Sequence, residues 1–183
     1  MKDLYRQVTR HLEVLNVKAE MEEPGMLGMD INMEHSMIGV KIICDEQEKR
    51  VMLFAEGTFN VPKVKFQEVL MKINDIHQNE YNSSHLFINV ETGHLMSQVV
   101  LNADTEGIID RDVLKFALCD VCYMLDSYYP EFMHILVGAD PARISIGKPK
   151  KNRLARWCYF SPSWCYLLGS LLFWCSRKCT FGS

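Results

Sequence analysis

The chain has 183 residues, 48 % of them hydrophobic and 23 % charged, which suffices for one globular domain with a modest appendage. Its net charge of −3 conceals a division: residues 1–140 carry 12 Lys and Arg against 23 Asp and Glu, whereas the eight basic residues beyond Asp140 meet no acidic one. So acidic a body argues against nucleic-acid binding, which rests on clustered Lys and Arg, and seven cysteines in no regular spacing argue against a disulfide scaffold.

The N-terminus lacks the apolar core of a signal peptide, so the expected location is the cytosol. Leu4, Val8, His11, Leu12 and Leu15 recur at steps of three and four, which predicts a helix over about 2–17. After the break at Glu22-Glu23-Pro24-Gly25, three runs alternate apolar with polar. They are Leu27/Met29/Ile31/Met33, Ser36/Ile38/Val40/Ile42 and Val51/Leu53/Ala55, the pattern of an antiparallel meander with one face buried.

The segment Gly57–Pro62 is expected to open a second helix, with Pro62 in its first turn and Phe66, Val69, Leu70, Ile73 and Ile76 as its apolar stripe. A hairpin follows: Leu86/Ile88/Val90, a turn at Glu91-Thr92-Gly93, then Leu95/Val99/Leu101. The last helix runs over about 110–127 on Leu114, Ala117, Leu118, Val121 and Leu125, and Tyr128-Tyr129-Pro130 closes or bends it. The order α-β-β-β-α-β-β-α predicts an α+β two-layer sandwich, a five-stranded antiparallel sheet with helices packed on it.

Several stretches carry a resemblance. They are Asn60-Val61-Pro62-Lys63, Ile73-Asn74, Phe87-Ile88-Asn89-Val90-Glu91-Thr92-Gly93-His94-Leu95 and Leu125-Asp126-Ser127-Tyr128-Tyr129-Pro130. Over residues 1–140 the chain resembles the bacterial YbjN family, whose fold is similar to that of type III secretion chaperones. The resemblance implies a secretion chaperone-like fold and a regulatory or chaperone-like protein without established chemistry. It brings no catalytic residue and no cofactor.

No constellation in the domain reads as an active site. Cys119 and Cys122 form a C-x-x-C, but in mid-helix, where they read as small core-facing residues and not as a redox pair. The six histidines show no ligand spacing, and His85 and His94 sit on two arms of a hairpin that do not bring them together. Asp104, Glu106, Asp110 and Asp112 flank a helix start, where carboxylates complement the dipole. A dispersed enzyme site around His85, His94 and Asp104, or thiol chemistry at Cys119 and Cys122, are the enzymatic alternatives.

Methionines crowd the first strands, and Met suits surfaces that accept several partners. Met29, Met33, Met37 and Phe87 are therefore the candidate protein-binding residues, for an unidentified protein partner or a second copy of the chain.

Residues 141–156 read as a basic linker, and 157–183 as an apolar tail rich in Cys and Trp. No charge falls in 157–176, a stretch able to cross or enter a bilayer through Trp157, Trp164, Leu167, Leu168, Leu171, Leu172, Phe173 and Trp174. Pro162, Gly169 and three serines weaken that reading. Attachment to the inner face of the membrane, docking on a partner, and a non-native C-terminus are the three readings of the tail. The expected function is a non-enzymatic protein-binding module, chaperone-like or regulatory, with a membrane-tethered protein as the alternative.

Overall fold

The computed structural model describes residues 3–79 and 83–138. The linker and the tail, with all the membrane-contacting residues named above, lie outside the described residues.

Among the described residues four helices and six strands follow in the order α1 (Leu4–Val14), β1 (Glu20–Glu23), β2 (Met26–Asn32), β3 (Met37–Asp45), β4 (Arg50–Asn60), α2 (Phe66–Asn79), β5 (His85–Ile88), β6 (His94–Asn102), α3 (Arg111–Ser127) and α4 (Tyr129–Val137). A short 3-10 turn, Lys63–Lys65, precedes α2. The strands form one antiparallel sheet in the order β1-β2-β3-β4-β6-β5. The architecture is the expected α+β sandwich, with one more strand than expected.

The extra strand is β1. Its sequence, Glu-Met-Glu-Glu, is exposed throughout, so it has no buried alternation to betray it. It adds to the edge of β2 through backbone pairing, Glu20 opposite Gly28 and Met21 opposite Leu27. Charged side chains on an edge discourage further strand addition.

Strand periodicity sets the core. Ile31–Ile38, Met29–Val40–Ala55–Ser97–Leu86 and Leu27–Ile42–Leu53–Val99 are cross-strand rows on one face, and all of these residues are buried. Helix α1 packs beside β3 and α3, α3 lies across β3, β4, β6 and β5, α2 covers β5, and α4 packs on α2 and α3. Leu4, Val8 and Leu12 of α1 and Leu114, Leu118 and Val121 of α3 close the layer.

Three details depart from the sequence reading, the first being that Val90 stands exposed in the turn after β5 and not on the strand. Residues 57–60 continue β4, and the helix begins only after Pro62, which caps the 3-10 turn, because the strand runs on through an irregularity after Glu56 until Asn60 pairs with His94. Leu70 is half exposed and not in the stripe of α2, whose buried residues are Val69, Ile73 and Ile76.

The helix termini are capped as their sequences dictate. The Asp110 carboxylate accepts from the amides of Asp112 and Val113, which holds it below the usual carboxylate range. Asp3 accepts from the amide of Arg6. A longer-range carboxylate fixes the β2–β3 connection: buried Asp126, near the end of α3, accepts from the amides of Glu34 (3.1 Å), His35 (2.9 Å) and Ser36 (3.1 Å).

Candidate protein-binding face

The other face of the sheet has a different character. Its rows are Met26–Ile43–Met52–Val100, Gly28–Lys41–Phe54–Gln98–His85 and Asp30–Gly39–Glu56–Met96–Phe87. Apart from the glycines, these residues are half-buried or exposed, in contrast to the core rows. The first row is wholly apolar across four strands, and Phe54, Met96 and Phe87 extend it toward β5. A contiguous apolar sheet surface with a charged margin has the composition of a protein-interaction site.

The margin is shaped by glycine. Gly28 and Gly39 stand on adjacent strands, each facing this side, and the space over Gly39 stays open as a trough between β1 and β4. The trough is a cavity of about 380 Å³ that Glu20, Glu22, Asp30, Glu56, Lys18 and Lys41 help to line. Glu22 lies directly over Gly28, where a Cβ would collide with its carboxylate, and it pairs with Lys41 at 3.4 Å. Glu56 meets the ring of His94.

Of the four residues proposed from sequence, Met37 and Phe87 lie on this open face, three strands apart. Met33 is half-buried in the β2–β3 turn. Met29 is on the core side, only 9 % exposed, because it alternates with Gly28 and Asp30. The residues that make the face continuous, Ile43, Met52, Phe54 and Met96, were missed. They occupy the positions between the buried residues of β3, β4 and β6.

The dispersed catalytic set does not meet. His85 pairs with Gln98, four residues along β6 from His94, and Asp104 follows the far end of that strand. Among the described residues no group of three or more His, Cys, Asp and Glu is arranged to hold a metal. Cys122 is buried and Cys119 partly so. Cys44, on the core side of β3, has its thiol pushed up to about 12, by burial first and by Glu46 and Asp3 next, so it stays protonated and unreactive.

One histidine pairing was not foreseen. The His77 ring on α2 stands 5.7 Å from that of His85, edge to face. His77 Nε2 accepts the Leu86 amide at 3.0 Å, an N–H on the side of β5 away from β6. Burial first, and His85 second, hold His77 below the ordinary 6.5. The folded state therefore takes up the proton later than the unfolded chain, so the stability tied to neutral His77 is present above pH 6.5 and is lost as pH falls below it. Urea midpoints at pH 7.5 and 5.5 should differ more in the wild type than in H77Q, which keeps an acceptor without a proton to gain. Equal differences would show that the pair is not titrating with folding.

No family model and no curated protein matches the chain. Solved structures do. A chain of the ExsC–ExsE complex superposes with a TM-score of 0.51 at 12 % identity, over 69 % of this chain and 94 % of that one. The two chains share a fold. A chain of the HopA1–SchA chaperone–effector complex gives 0.46 at 15 % identity, over 73 % of this chain and 92 % of its own length. YbjN from E. coli, a proposed transcription regulator, gives 0.44 at 9 % identity, with 73 % and 89 % covered. The α+β fold expected from the sequence is the fold observed, and it is the fold of that chain of the ExsC–ExsE complex. Among the described residues no helix is long and apolar enough to cross a membrane.

Proposed function

We propose that this protein is a non-enzymatic binding module, chaperone-like or regulatory, that holds a protein partner on the open face of its sheet. One observation carries the reading: the Met26–Ile43–Met52–Val100 row, continued by Phe54, Met96 and Phe87, is apolar yet only half-buried, while the helices among the described residues serve the other face. Methionine gives such a surface a deformable lining that accepts more than one shape.

Affinity capture of the full chain from its native cell should recover a stoichiometric protein that crosslinks to β3 or β4. The double variant M52D/F54D should lose it while still unfolding in one cooperative urea transition at a lowered midpoint, since both side chains are half-buried and face outward. Retention by that variant, or recovery of the bait alone together with turnover of a small molecule, would remove the proposal.

A second reading concerns the tail. Its support is the uncharged stretch 157–176 directly behind Lys148, Lys150, Lys151, Arg153 and Arg156. A cationic flank and an apolar segment together bind anionic bilayers more strongly than either does alone. Full-length protein should sediment with membranes and survive a carbonate wash, and truncation at Lys148 should release it. Full-length protein in the soluble fraction would end this reading.

A further inference from the structure

The trough beside the apolar row has a charge and a shape that specify its occupant. Four carboxylates, from Glu20, Glu22, Asp30 and Glu56, face two ammonium groups, Lys18 and Lys41, around its rim. Lys41 is already engaged by Glu22. Glu20 and Asp30 have no cationic partner among the described residues. The floor is backbone left open at Gly39, while the Glu22 side chain covers Gly28, so a long side chain can lie flat against the Gly39 end.

We infer that the partner of the open face is an extended segment carrying an arginine or lysine that enters this trough, with a bulky apolar residue nearby that settles on Phe54 and Met96. This inference rests on the open-face reading above and narrows it. Arginine suits the trough best. Its planar guanidinium stacks on exposed peptide groups and addresses two carboxylates at once.

Sheet spacing sets the distance between the two anchors. From the β2–β3 midline to β6 is two and a half strand intervals, about 12 Å. An extended chain covers that in about three to four residues. The acidity of the body, 12 basic against 23 acidic residues over 1–140, steers such a segment toward the domain from a distance. The same acidity disfavours a second copy of the domain as the occupant, because two copies would bring like charges together on this face.

A random dodecapeptide phage library panned on the full-length chain tests this directly. The selected peptides should share a basic residue three or four positions from Leu, Phe, Met or Trp. G39V is the discriminating variant. Gly39 has no positive φ, and an added Cβ would meet only Asp30 Oδ1, at 3.7 Å, so valine fits the strand and fills the trough. A selected peptide should lose about tenfold or more in affinity for G39V and for D30N/E56Q, and the wild-type affinity should fall with added salt.

A neutral or acidic consensus that F54D abolishes would overturn the inference and leave the open-face reading standing. Peptides that bind F54D and G39V as well as the wild type would overturn both. A dimer in sedimentation velocity that F54D dissociates would make a second copy the occupant and overturn the basic segment.

Discussion

Replacing Asp126 with alanine should lower the unfolding free energy by about 3 kcal/mol, and with asparagine by about half as much. The carboxylate is 6 % exposed and accepts three successive backbone amides, Glu34, His35 and Ser36, from a turn some 90 residues earlier in the chain. Consecutive amides converging on one anion form a nest, and hydrogen bonds to a charged acceptor are the stronger kind. Asp126 also sits near the carboxyl end of α3, where the helix dipole disfavours negative charge. The three amides offset that penalty. Alanine removes the acceptor and leaves the amides to water that reaches them poorly. With a urea m-value of about 2 kcal/mol/M the midpoint should fall by about 1.5 M. Hydrogen exchange should accelerate first at residues 34–36. A midpoint shift below about 0.3 M would mean that the turn holds itself.

This contact shows why some of the fold is legible in the sequence and some is not. Core positions such as Ile38, Val40 and Ile42, or Leu114, Leu118 and Val121, announce themselves through period two or period 3.6, because burial acts on each residue in its own element. Asp126 lies inside a stretch that the family resemblance had picked out, yet nothing local says that it reaches Ser36. The same holds for His77 with His85 and for Glu56 with His94. These are tertiary pairings, and one chain carries no record of them.

The sixth strand was invisible for a related reason. Glu20–Glu23 is a strand by virtue of its neighbour's free edge, and its own side chains are all in solvent. The candidate site was half legible. Alternation that marks Leu53 as inward marks Phe54 as outward, and outward residues are expected to be polar. Met26, Ile43, Met52 and Phe54 break that expectation, and once the register is known they line up across four strands. The trough became visible only when Gly28 and Gly39 proved to be neighbours on the same face.

Leu53 and Phe54 turn this argument into a paired experiment with opposite outcomes. Leu53 is fully buried in the central strand β4, between Ile42 and Val99, under the helical layer. L53A removes three carbons from a site that rigid strands on both sides keep from collapsing, and should cost about 3 kcal/mol of stability. Phe54, one residue on, lies between Lys41 and Gln98 on the open face. F54A loses only partial burial and one set of cross-strand contacts, about 1 kcal/mol or less. Its effect on partner binding should be the larger one, about tenfold or more, since truncating a central aromatic anchor removes a disproportionate share of interface energy. L53A, assayed well below its unfolding midpoint, should bind nearly as wild type. If F54A proves the less stable of the two, the assignment of faces is reversed. If it is stable and binds normally, the open face is not where the partner sits.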